Sequence, residues 1–148
     1  MKRPIRTYNC VISEREVDRF LGGMILLEKT KLVAVVDDDE LLRASLQRLL
    51  KVAGLDVVSF GTAEDFLKSG NLRDVGCLVA DVRMPGMSGL ELLAKLKAED
   101  CPIPTIFITA HGDDKVRLQA MRAGAVEFLT KPFDDGILLE RVRMALGT

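Results

Sequence analysis

Leu32-Val33-Ala34-Val35-Val36 runs for five residues without a polar side chain and then meets Asp37-Asp38-Asp39. A strand with one wet face alternates apolar and polar side chains. A run that does not alternate suits a parallel strand covered on both faces. Leu78-Val79-Ala80 has the same character, ends on Asp81, and breaks at once into Pro85, Gly86 and Gly89. Asp81 therefore falls where a buried strand meets a loop. In α/β sheets the ligand crevice opens at that edge, so a carboxylate there is placed to hold a cation or act as a nucleophile. An Asp that only caps a turn is the competing reading of the segment.

The rest of the chain repeats the same unit. Leu41, Leu42, Leu46, Leu49, Leu50 and Ala53 recur at helical spacing after the aspartates, with Gly54 as a stop. A second strand is expected over 56–60, and Thr62 caps a short helix through Phe66 and Leu67. The third strand covers 76–80. Ser88 or Gly89 begins a helix with Leu90, Leu92, Leu93 and Leu96 inward, broken by Cys101-Pro102-Ile103-Pro104. A fourth strand over 105–108 delivers Thr109 and Ala110 to the same edge. A helix over 113–123 stops at Gly124, and a fifth strand over 125–129 ends in Thr130-Lys131-Pro132. The last helix starts at 134 or 135 and runs to 146, with Ile137, Leu138, Val142 and Leu146 inward. Five strands each followed by a helix give a doubly wound α/β domain. Right-handed crossovers favour the flavodoxin-like order 2-1-3-4-5, a parallel sheet with helices on both faces.

Residues 1–30 read differently and form an amino-terminal extension, partly helical or disordered, before a domain over 31–148. Ser13-Glu14-Arg15-Glu16 has the pattern of a capping box, and a helix over 14–27 would share Val17, Phe20, Leu21 and Met24 on one face. Gly22-Gly23 weakens it by roughly 1 kcal/mol per glycine. An upstream-start extension with Met24 as the alternative start fits the same residues. The chain of 148 residues is 48% hydrophobic, enough for one sizeable core. Its 21 Lys and Arg against 22 Asp and Glu leave a charge of -1, so no basic field argues for direct nucleic-acid binding. No stretch approaches the roughly 18 apolar residues of a membrane span, and the acidic residues before 20–27 do not suit a signal peptide. Cys10, Cys77 and Cys101 show no zinc or C-x-x-C spacing, so reduced thiols in a cytoplasmic protein are expected.

Order 2-1-3-4-5 brings strand ends together: Asp37, Asp38 and Asp39 after strand one, Asp81 after strand three, Thr109 after strand four, Lys131 after strand five. Gathered carboxylates repel one another unless a cation joins them. Oxygen donors without a His or Cys cluster favour Mg²⁺, which commonly takes only one or two carboxylates. A carboxylate beside Mg²⁺ can attack a phosphoryl donor, with the Lys131 ammonium and the Thr109 hydroxyl as further stabilisers. Singly, each residue has a plainer role. Asp39 suits a helix cap better than a ligand, Lys131 a solvated loop, and Thr109 a strand end. Their convergence at four strand ends is what changes the reading.

Over residues 31–146 the chain resembles the receiver domain of bacterial two-component response regulators, most closely receivers of the nitrogen-fixation regulator type. The resemblance rests on Val36-Asp37-Asp38-Asp39-Glu40, Asp81-Val82-Arg83-Met84-Pro85-Gly86-Met87-Ser88-Gly89, Thr109-Ala110-His111-Gly112-Asp113 and Lys131-Pro132-Phe133. It implies that Asp81 is the phosphoacceptor and that Asp37, Asp38, Asp81 and the Arg83 backbone carbonyl form the Mg²⁺ site. Thr109, Ala110 and Lys131 would bind the phosphoryl oxygens, with the Lys131-Pro132 bond cis. Thr109 and Phe128 would form the switch pair. The implied partners are a sensor histidine kinase or phosphotransfer protein and a downstream effector, read through the surface of helix 4, strand 5 and helix 5. Such a domain is a signalling module that promotes its own phosphorylation and dephosphorylation rather than an enzyme, and it leaves room for a homodimer.

Two departures from the family pattern stand out. Ser88 replaces a common Asp but is equally able to cap the following helix, and the sequence ends at Thr148 without the usual effector domain. A stand-alone receiver and a receiver whose effector has been removed both fit. Two other functions compete. Asp37-Asp38-Asp39 also contains the Asp-x-Asp of haloacid-dehalogenase-type phosphatases, with Asp37 as nucleophile and Asp39 as acid. Glu40 is wrong for that motif, Asp81 would be idle, and the length leaves no room for a substrate-selecting cap. A phosphate-independent interaction module with a receiver fold is the other, against which the intact Asp37, Asp38, Asp81, Thr109 and Lys131 set argues.

Overall fold

The computed structural model describes residues 31–70, 72–110 and 112–147, so the expected extension helix and His111 lie outside the described residues. Five parallel strands, β1 (Leu32–Val36), β2 (Asp56–Phe60), β3 (Val75–Asp81), β4 (Thr105–Thr109) and β5 (Glu127–Thr130), form one sheet in the order β2-β1-β3-β4-β5. Helices α1 (Glu40–Val52), α2 (Ala63–Leu67), α3 (Gly89–Ala98), α4 (Asp114–Arg122) and α5 (Asp135–Leu146) connect and follow them. This is the flavodoxin-like architecture expected from the sequence.

The sheet divides the interior. Val33 and Val35 of β1, Cys77 and Val79 of β3, and Ile106 and Ile108 of β4 meet Leu46 and Leu50 of α1 and Leu138 and Val142 of α5. Their neighbours Ala34, Val36, Leu78, Ala80 and Phe107 face the other way, onto Phe66 of α2, Leu92, Leu93 and Leu96 of α3, and Ala120 of α4. The two-residue repeat of the strands thus supplies two apolar layers, which is why β1 and β3 carry no polar alternation.

Each helix begins on a side-chain cap. Asp39 accepts from the amides of Leu41 and Leu42, Thr62 from Asp65, Asp113 from Val116 and Asp134 from Ile137. Ser88 and Glu91 form a reciprocal capping box, so the Ser at this departure from the family pattern serves the helix as expected. Each cap contributes typically ~1 kcal/mol.

One inward assignment fails. Ile137 is 42% exposed. It lies in the first turn of a helix that starts at the sheet edge, where the periodic face has not yet reached the sheet. Strand β5 also begins two residues later than expected, at Glu127.

Burial pushes the Cys77 thiol from 9.0 up to about 12. Because the fold disfavours its thiolate, this group's contribution to stability is fully present below pH 9.0 and is lost as pH rises toward about 12. Cys77 is expected to resist iodoacetamide in the native protein at pH 8 and to react once the chain is unfolded in guanidinium, as peptide mass mapping would register. Cys101 takes part in a disulfide, which corrects the expectation of reduced thiols at that position.

Candidate functional site

Strand register assembles the site. Val36 of β1 pairs with Ala80 of β3, so the next residues, Asp37 and Asp81, emerge side by side. Asp81 pairs with Ile108, and Thr109 pairs with Thr130, which precedes Lys131. The Lys131 amide donates to the Thr109 carbonyl at 2.8 Å, and the Lys131-Pro132 bond is cis, as the resemblance implies.

Oxygens of Asp37, Asp38 and Asp81 lie within 4.8 Å of one another. The Lys131 ammonium stands 3.6 Å from Asp81 Oδ2 and 3.8 Å from Asp37 Oδ2. Asp37 is 2% exposed and Asp81 9%, whereas Asp38 is open to solvent. Burial is the largest influence on Asp37 and raises its pKa above 3.8. The Asp39 amide and Lys131 work against that rise, while Asp81 and Asp38 add to it. With all three carboxylates ionised, one ammonium leaves two negative charges uncompensated. Hard oxygen donors with that residual charge fit a small divalent cation such as Mg²⁺.

Asp39 stands apart from this cluster. Its Oδ1 caps α1, as expected of a helix-start residue. Thr109 is buried at the end of β4, and Phe128 of β5 lies on the same face of the sheet as Phe107, with which it pairs. The Phe128 ring is already inward, at 2% exposure.

A match to the "Response regulator receiver domain" family model spans residues 33–143. The chain belongs to this family. Its receiver is 48% identical over 115 residues to "Transcriptional regulatory protein FixJ" of Azorhizobium caulinodans, covering 78% of this chain and 54% of that protein. It is 46% identical to "Nodulation protein W" of Bradyrhizobium diazoefficiens, covering 82% of this chain and 53% of that protein. The chain thus spans about half the length of these relatives. Among solved structures, the receiver resembles that described as "Crystal structure of FixJ-N", with a TM-score of 0.73 and 43% identity over 81% of this chain and 96% of that one. It is therefore a FixJ-like receiver domain of the response regulators of two-component systems, a signalling domain. No helix among the described residues is long and apolar enough to cross a membrane.

Several supports of this receiver's site escape sequence reading. Arg43 Nη1 of α1 donates to the Asp37 carbonyl at 2.6 Å and pins the acidic loop. Glu64 of α2 accepts from the Met87 amide at 3.1 Å and so holds the loop after Asp81 from 23 residues away. A surface-patterned Glu gives no signal of such a reach. Gly89 of α3 sits against Asp81: a Cβ there would collide with the Asp81 carbonyl oxygen and lie 2.9 Å from the Phe107 ring. Helix propensity alone predicts that Gly89→Ala stabilises by up to ~1 kcal/mol. Overpacking against a strand backbone costs about 1 to 3 kcal/mol. A net fall in melting temperature is therefore expected, and a rise would show that β3 yields at Asp81.

Proposed function

We propose that this receiver accepts a phosphoryl group on Asp81 from a histidine kinase or phosphotransfer protein and passes the state to an effector. The observation that carries the reading is the convergence of Asp37, Asp38, Asp81 and the Lys131 ammonium at adjoining strand ends. An Asp81 carboxylate oxygen attacks the phosphorus of a phosphohistidine. The P–N bond breaks, its electron pair stays on the imidazole nitrogen, and an acyl phosphate forms. Asp37, Asp38, Asp81 and the Arg83 carbonyl would hold Mg²⁺, which when bound neutralises charge on the phosphoryl oxygens. Lys131 faces the same oxygens from the other side. Thr109 donates its hydroxyl and Ala110 its backbone amide to them.

The added charge favours the state in which Thr109 and Lys131 both contact the phosphoryl group, and Phe128 reports the change to the α4, β5 and α5 surface. Leu118 and Met121 of α4 and Met144 of α5 are exposed apolar side chains available there to an effector or to a second copy. The relatives' names as transcriptional or nodulation proteins and their greater length support an effector as the output. The domain acts in the cytoplasm, on no separate substrate and with no direct nucleic-acid contact. Residues 31–148 form the receiver and 1–30 an extension of separate role.

Intact-mass spectrometry after incubation with acetyl phosphate tests the reading. A gain of one phosphoryl group with Mg²⁺ that disappears with excess chelator is expected. No gain under either condition would leave the phosphate-independent module.

A further inference from the structure

The ring of Phe128 is confined by two residues that the phosphoryl chemistry does not use. Beyond the site, Gly112 lies so close that a Cβ on it would stand 2.7 Å from Phe128 Cε1, 3.0 Å from Cζ, and 3.1 Å from Thr109 Cγ2. A real Cβ does not come within 2.7 Å of a ring carbon, and the other two approaches are tight. Gly112 is not among the glycines with positive φ, so its backbone is open to any L residue and only the space requires glycine. From α4, the Arg117 guanidinium lies over the same ring, 5.1 Å from its centroid. An arginine at that distance is attracted by the ring face and covers it from water.

We propose that Gly112 and Arg117 are positioning residues that set the inward population of the Phe128 ring. The inference rests on the reading of Thr109 and Phe128 as the switch pair, and it adds the device that biases the switch. Gly112 leaves the room the inward ring needs, and Arg117 closes over it. A methyl group at 112 forces one of its neighbours to move. Thr109 is anchored in β4 by its strand, whereas a phenylalanine ring swings out about χ1. The ring is the group that yields.

The test is a double-mutant cycle with a direct view of the ring. Protein labelled with 4-fluorophenylalanine carries six fluorine resonances, one per Phe, and the Phe128 signal is the one absent from Phe128→Leu. In Gly112→Ala the ratio of inward to outward Phe128 signal is expected to fall at least about tenfold, with and without acetyl phosphate and Mg²⁺. Arg117→Ala is expected to lower it less. Thermal melts supply the second readout. Gly112→Ala lowers the melting temperature in the wild-type background and has little effect in Phe128→Leu, where the ring that would collide is gone. An unchanged Phe128 signal, or an equal loss in both backgrounds, overturns the proposal. Intact-mass analysis of the same samples separates it from the reading beneath. Gly112→Ala still takes up the phosphoryl group, because Gly112 is packed on the switch pair and not on Asp81. A wild-type protein that takes up none refutes the phosphoacceptor reading, while the ring ratio and the cycle still decide what Gly112 and Arg117 do to Phe128.

Discussion

Asp81→Asn is expected to take up no phosphoryl group from acetyl phosphate under conditions in which the wild-type protein is labelled. The substitution nearly preserves shape. An amide oxygen at the Oδ1 position still accepts from the Arg83 amide, a contact of 3.1 Å in the structure, so the loop after β3 keeps its anchor. What disappears is the negative charge of the proposed acceptor and one half of the pair with Lys131. The variant is expected to fold with unchanged far-ultraviolet circular dichroism and to show no mass gain. Labelling at the wild-type level would mean that another carboxylate is the acceptor. Phosphate release that survives Asp81→Asn but not Asp37→Asn would restore the phosphatase reading.

Asp37→Asn should have effects of opposite sign on stability and on Mg²⁺ response. Asp37 is buried, and its raised pKa means that ionisation works against the fold. By linkage, the stability this group can supply is fully present below the ordinary value of 3.8 and is lost as pH rises through its higher folded value, so at neutral pH its charge is a cost. Removing the charge relieves repulsion with Asp81 and Asp38, and an Asn oxygen still accepts from the Asp39 amide, now at 2.8 Å. Without a divalent cation, Asp37→Asn is expected to melt higher than wild type. With millimolar Mg²⁺ the order reverses if binding to the wild type is tight, because a ligand that binds only the folded state stabilises it as RT ln(1 + [L]/Kd), about 2.7 kcal/mol at a hundredfold excess over Kd. Melting curves of both proteins across a Mg²⁺ series check this. Equal responses to Mg²⁺ would remove Asp37 from the metal site.

The strands and their order were legible because burial on both faces removes polar alternation, a signal that β1 and β3 carry without interruption. The caps were legible too, since Ser, Thr and Asp compete for backbone donors wherever they occur and win at helix starts. The convergence of Asp37, Asp81 and Lys131 follows from strand order, because register carries each strand end to the same edge. Ile137 departs from its expected inward position because helical periodicity tells which face a residue shares but not where along its length the helix meets the sheet. Arg43, Glu64 and Gly112 were silent for a different reason. Each acts on backbone or ring atoms outside its own helix or loop position, and the alternation of polar and apolar residues carries no record of such a contact.

The two apolar layers on either side of the sheet share no side chain. Phe128 belongs to the layer with α2, α3 and α4, whereas its neighbour Leu129 packs with α1 and α5. Repacking around Phe128 therefore begins in the layer of α2, α3 and α4 and reaches α5 only through β5 itself, where Leu129 follows Phe128 on the opposite face. A single strand, β5, is thus the one thread joining the two interiors at this edge of the sheet.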